Sequence, residues 1–249
     1  MSLTLLALVF VSLLGGGIVK GAAGLGLPMI AIPVLSIFIG IPQAVTIVAL
    51  PMFATNAWQI WQFRQERSNA GFLPSFLTAG ALGILPGTWL LSSISAEYLD
   101  LALGITVVVY LLLRLSAPEF KLSEAQTRKI APVAGFSAGL LQGATGLSGL
   151  VGATFFHAGR LSRGAFMFCL ASMFFLFICI QLSLLVATGM ATRANLGAGV
   201  FALIPAALGL YAGNAIAGRL ERRVFDMLIY VVLSGSAIPL IWRSLALLF

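Results

Sequence analysis

The stretch Gly17-Ile18-Val19-Lys20-Gly21-Ala22-Ala23-Gly24-Leu25-Gly26 decides the fold, because it occurs twice. The second copy reads Gly139-Leu140-Leu141-Gln142-Gly143-Ala144-Thr145-Gly146-Leu147-Ser148. The copies lie 122 residues apart and share five of ten positions. Each interrupts a long apolar run. Paired interruptions at corresponding places in two hydrophobic halves are the strongest sequence pointer to a carrier's binding site.

The surroundings of the breaks are built for lipid. Of 249 residues, 60% are hydrophobic and only 8% are charged. The mean hydropathy is +1.09. A soluble domain carries about 25% charged residues, so this chain cannot cover a water-facing surface and reads as an integral membrane protein. Its net charge of +7 does not point to nucleic acid, because the basic residues sit between apolar runs. In a membrane protein such residues mark cytoplasmic loops. Cys169 and Cys179 lie in one apolar run, about 15 Å apart on a helix, too far for a disulfide. No cysteine pair or histidine cluster suggests a metal or cofactor. The apolar stretch from Leu3 has no positive region before it, so a cleaved signal peptide is not expected.

Hydropathy predicts membrane segments at about 3–20, 25–39, 43–63, 71–91 and 98–115 in the first half. The second half gives about 131–143, 147–159, 164–189, 195–218 and 224–246. The halves divide as 1–115 and 130–249 around a linker at 116–129, in which Ser123 and Gln126 have the spacing of a capping box that opens a short surface helix. Residues 25–39 and 131–143 give only about 22 and 20 Å of helix, short for a crossing. Each pair of segments at a break therefore predicts a hairpin that dips into the membrane and returns. If both do so, Arg64, Arg67, Arg114, Lys121, Arg128, Lys129, Arg160, Arg163, Arg219, Arg222 and Arg223 fall on one side, with only Arg193 and Arg243 opposite. The positive-inside rule favours that arrangement, with both termini periplasmic. A shallow re-entrant hairpin and two tilted spans satisfy it equally. Ala81–Thr88 matches Ala207–Asn214 at an offset of 126, which also brings Asp100 onto Asp226. Each half is then a glycine-broken hairpin plus three crossings. An odd number of crossings inverts the second half, an inverted-topology repeat.

Chemistry concentrates at the breaks. Glycine lets a chain leave the helix and approach a ligand closely, and exposed helix N-termini favour anions. Gly21, Gly24 and Gly26 in the first copy, and Gly143, Thr145, Gly146 and Ser148 in the second, are therefore candidate substrate-binding residues. Gly83 with Gly87 and Gly209 with Gly213 read better as helix-packing pairs. Lys20 is the only charge deep in an apolar region, which makes it a functional candidate, balanced by the alternative of a snorkelling lysine. Its repeat partner is Gln142. Asn56 and Gln59 share a helical face, and Gln181 lies in the matching segment. These three are candidates for lining a pathway or for bonding between helices. His157 reads as a surface residue. The carboxylates lie in or near loops, so no proton relay is visible, and no motif supports nucleotide binding or hydrolysis. An enzymatic reading has no residue to stand on.

Two glycine-rich breaks opening two halves, with basic loops on one side, resemble the TauE/SafE family, also called TSUP, of sulfite and organosulfonate exporters. The likeness rests on Gly21, Gly24, Gly26 and Pro33, with Leu27 and Pro28 where further glycines stand in the family. In the second half it rests on Gly143, Gly146, Ser148 and Gly149. The resemblance implies a bacterial inner-membrane carrier for small sulfur-containing or carboxylate anions; the inverted repeat adds alternating access, and an inside-negative potential favours export of an anion. Its expected partners are lipid and a small anion, with a coupling proton or ion and a homo-oligomer left open. An anion channel and a non-transporting scaffold subunit are the competing readings.

Overall fold

The computed structural model describes residues 3–24, 26–116 and 121–216, with positions 234, 238, 239, 241 and 242 beyond them. The segment expected at 224–246 lies outside the described residues, apart from those five positions. So do Asp226, Glu119, Glu221, Arg219, Arg222, Arg223 and Arg243.

The described chain is helical throughout, with no strand. In order come α1 (Leu3–Ala23), α2 (Leu27–Ile39), α3 (Ile41–Gln62), a 3₁₀ turn (Arg64–Asn69), α4 (Leu73–Ser93) and α5 (Ala96–Ser116). These are followed by α6 (Glu124–Thr145), α7 (Gly149–Ala158), α8 (Arg163–Ala187) and α9 (Arg193–Ile216). Among the described residues four stretches, Thr4–Ala22 of α1 and the whole of α4, α8 and α9, are long and apolar enough to cross a membrane. Leu82, Val133, Ile204 and Leu208 stay exposed, as suits side chains whose solvent is hydrocarbon.

The sequence places most helices within a few residues of where they fall, and misplaces one. α6 begins at Glu124, not near 131, because the Ser123–Gln126 box forms: Gln126 N donates to Ser123 Oγ at 3.3 Å and Ser123 N to Gln126 Oε1 at 2.9 Å. The cap opens a 22-residue helix rather than a short surface one. Hydropathy hides its polar first turns. The short arms at the breaks are instead α2 and α7, with 13 and 10 residues. Ser123→Ala leaves the Gln126 N–H at this exposed helix end uncapped, at a cost of about 1 kcal/mol. The unfolding midpoint in detergent is expected to fall by about 2–4 °C, with an unchanged midpoint arguing that the cap contributes nothing.

Glycine sets the helix pairs. Gly17 and Gly21 of α1 press against the backbone of α9 between Ala206 and Asn214, while Gly209 and Gly213 press back against α1. Gly135, Gly139 and Gly143 of α6 meet α4 between Phe76 and Thr88, and Gly83 and Gly87 press back against α6. In both pairs the contacts advance together along the two chains, so α1 runs parallel to α9 and α4 parallel to α6. Pro51 deprives the Ile47 carbonyl of its intrahelical donor, and Gly199 of α9 packs against that oxygen, which places α9 beside α3. α3 and α8 cross where the Phe53 and Phe175 rings stand 4.9 Å apart.

The α3–α4, α5–α6 and α7–α8 loops gather at one end. Glu66 in the 3₁₀ turn accepts from Asn69 Nδ2 at 2.9 Å and from Ser162 Oγ, ahead of α8, at 3.3 Å. Leu122 N, ahead of α6, donates to Ala158 O at the end of α7 at 2.9 Å. The Arg64 guanidinium covers the Trp61 ring at 4.8 Å, a pairing suited to a membrane interface.

Candidate functional site

The two breaks share one local cause. Gly24 (φ 82°) and Gly146 (φ 76°) both adopt left-handed backbone, which a side chain resists and glycine does not. The Gly24 N–H closes α1 by donating to Lys20 O at 2.7 Å, and the Gly146 N–H closes α6 by donating to Gln142 O at 2.8 Å. Beyond them new helices start. α2 opens on Leu27 and Pro28, and proline has no N–H to offer a ligand. α7 opens on Gly149.

Lys20 is 1% exposed. Its Nζ donates to Asn56 Oδ1 of α3 at 2.6 Å. Asn56 Nδ2 donates in turn to Met52 O at 2.7 Å, which fixes the amide with its oxygen toward the lysine. The ammonium also stands 5.4 Å from the centre of the Phe174 ring of α8. Among the described residues its partners are therefore a neutral amide and a ring. An ammonium has three hydrogens to give, so this cluster is open.

Gln142 forms the other cluster. Its Nε2 donates to Gln181 Oε1 at 2.8 Å, and Ser148 Oγ donates to its Oε1 at 2.5 Å. Gln181 Nε2 donates to Gln142 O at 2.6 Å and Gly143 O at 3.1 Å. These groups satisfy one another and tie the second break to α8. From the Phe53–Phe175 crossing, Asn56 lies three residues along α3 and Gln181 six along α8, which runs the other way. At 1.5 Å per residue the clusters are roughly 14 Å apart along the helices. Phe174 sits between the halves: Lys20 is over its face, and a carbon added at Gly149 would lie 2.9 Å from its ring.

The remaining candidates divide. Thr145 Oγ1 bonds back to Leu141 O at 2.9 Å within its own helix. Gly21 and Gly143 lie inside helices, against α9 and α4. Gly26 (φ 142°) packs on Val19. Gln59 is buried, and its Oε1 has no hydrogen-bond partner. Thr88 Oγ1 is the other such atom among the described residues, and its backbone lies against Gly143. A cavity of about 640 Å³ opens between α3 and α9, with Thr55, Trp58, Gln62, Leu210, Tyr211 and Asn214 among its lining residues. Thr55 adjoins Asn56 in sequence, and the Asn214 backbone faces Gly21, while Lys20 and Asn56 are not among the cavity's lining residues. His157 is exposed. Phe174 and Thr88 had no signal that sequence reasoning picked out as a site.

Together these features define a helical, multi-span membrane protein with buried polar clusters at glycine breaks. A model of the family "Sulfite exporter TauE/SafE" matches residues 8–240. The chain belongs to that family, which is one of transporters and not of enzymes. No curated protein and no solved structure matches it.

Proposed function

We propose that this protein is a secondary transporter that moves a small anion, such as sulfite, an organosulfonate or a related carboxylate, outward across the bacterial inner membrane. The observation that carries this reading is Lys20: a buried cation whose described partners are neutral, in a setting where charge is costly without a counterion. The substrate-binding set is Lys20, Gly21, Gly24 and Gly26 from one half, with Gln142, Gly143, Thr145, Gly146 and Ser148 from the other. Asn56, Gln59 and Gln181 line the pathway.

An inverted repeat of residues 1–115 and 130–249, joined by a cytoplasmic linker at 116–129, explains the packing. α1, α3 and α9 run one way while α4, α6 and α8 run the other. α1 pairs with α9 as α6 pairs with α4, so each half's broken helix is held by the fourth helix of the other half. The bond from Leu122 to Ala158 favours a second hairpin that returns to its starting side. The loop end carrying Arg64, Arg67, Arg128, Arg160 and Arg163 is cytoplasmic on the positive-inside rule, with both termini periplasmic. Lys20 then lies in the cytoplasmic half, and the α3–α9 cavity gives an anion its approach. Alternating access moves Phe174 out of the path between clusters. An inside-negative potential drives each negative charge outward by about 2.3 kcal/mol per 100 mV, so export needs no proton relay. A channel fits less well, because the closed Gln142 cluster and Phe174 interrupt any continuous polar lining.

The test is current on a solid-supported membrane from purified protein in liposomes, on adding sulfite, thiosulfate, sulfoacetate, taurine and acetate in turn. A current with at least one sulfur anion is expected. Silence throughout, with no ligand-dependent rise in unfolding temperature, would leave the scaffold reading.

A further inference from the structure

The face of α3 that holds Lys20 carries a buried acceptor with no partner among the described residues. Gln59 lies one helical turn from Asn56 on α3, a spacing that holds side chains about 5–6 Å apart. It is 2% exposed, and its Oε1 has no hydrogen-bond partner among the described residues. A buried acceptor left unpaired is destabilising, and native proteins keep few of them. Lys20 gives one hydrogen to Asn56 and has no other hydrogen-bond partner among the described residues for the rest.

We propose that the anion held at Lys20 is a monoanion that carries a hydrogen-bond donor of its own, which Gln59 accepts. This rests on reading Lys20 as the anion site. One ammonium matches one negative charge. A dianion would bring a second charge into a low-dielectric site with no described cation to meet it. An oxyanion group takes the free Lys20 hydrogens, and an O–H within about one helical turn reaches Gln59. An anion with acceptors alone sets its lone pairs against the Gln59 oxygen. The class that fits is a singly protonated oxyanion of the hydrogensulfite kind, or a sulfonate bearing a hydroxyl on a nearby carbon. The other unpartnered buried atom among the described residues is Oγ1 of Thr88, whose backbone lies against Gly143 at the second cluster. As a hydroxyl it accepts from the same donor once the anion has passed Phe174.

The test compares three probes on the reconstituted protein: 2-hydroxyethanesulfonate, ethanesulfonate and ethane-1,2-disulfonate. The first two differ by a single hydroxyl. Apparent affinity is read from ligand-dependent thermal stabilisation and from current amplitude, for the wild type and Gln59→Leu. The wild type is expected to bind the hydroxyl compound about tenfold more tightly than ethanesulfonate, and the disulfonate least. Gln59→Leu is expected to bind both monosulfonates with equal affinity, and to melt without ligand at or above the wild-type temperature because an orphaned oxygen is gone. Gln59→Met serves if the leucine variant does not fold. Equal binding of the monosulfonates by the wild type, a preference for ethanesulfonate, or tightest binding of the disulfonate overturns this inference and leaves Lys20 as an anion site. Failure of the wild type to bind or carry any of the three, or any anion of the earlier series, overturns both.

Discussion

Lys20→Met abolishes the anion-dependent current, to below about a tenth of wild type, while the protein still folds and inserts. Methionine keeps the length and apolar body of the lysine stem and removes only its charge. A charge-assisted hydrogen bond to a buried cation is worth about 1.5–3 kcal/mol, which is about 10- to 150-fold in affinity. Loss of the only described cation in the site also removes the reason for an anion to enter. Folding responds differently. The single change orphans Asn56 Oδ1, whose sole described donor is Lys20. The paired change Lys20→Met with Asn56→Leu replaces both partners with apolar groups, which is often neutral or stabilising for a buried polar pair. The double variant is therefore expected to match or exceed the wild-type unfolding temperature and to carry no current. Current that survives in the double variant would demote Lys20 to a structural lysine. A double variant that fails to fold would make the lysine part of the scaffold.

The sequence made the breaks legible because a left-handed helix end selects glycine, and Gly24 and Gly146 stand at one repeat offset. It made Lys20 legible because a lone charge in an apolar run is rare. Asn56 and Gln181 could be singled out as polar residues in matching segments. Their partners could not: Lys20 meets Asn56 36 residues away, and Gln142 meets Gln181 39 residues away, and only the helix packing makes those pairs. Phe174 was hidden because it lies in Met167-Phe168-Cys169-Leu170-Ala171-Ser172-Met173-Phe174-Phe175, where another phenylalanine carries no signal. Thr88 was read as part of a packing repeat, since nothing in a sequence says which hydroxyl will lack a partner. The start of α6 was misplaced because hydropathy ignores the polar turns that a cap recruits. Gly21 and Gly143 show the ambiguity of small residues, which serve a close ligand and a close helix by the same absence of a side chain.

That second service has the largest expected effect on stability. Gly17→Val and its repeat counterpart Gly139→Val each prevent assembly, whereas Gly15→Ala, two residues from Gly17 on the same helix, is neutral or stabilising. A carbon added at Gly17 falls 2.7 Å from Ala206 O and 3.1 Å from the Gly209 Cα. At Gly139 it collides with the Gly80 carbonyl. These are backbone atoms and cannot step aside as a side chain would, so the helices must part. Lipid supplies no hydrophobic force to hold them, and association there depends on close packing. Overpacking costs about 1–3 kcal/mol where neighbours can adjust, and the cost here lies at or above the upper end. A carbon at Gly15 meets nothing within 4 Å, and alanine gains about 1 kcal/mol over glycine inside a helix. Size-exclusion profiles in detergent read the difference: aggregated or absent protein for both valine variants, a wild-type peak and an equal or higher unfolding temperature for Gly15→Ala. Monodisperse Gly17→Val with wild-type stability would mean that α1 and α9 do not cross on this face. The glycine repeat would then have to be explained by the ligand alone.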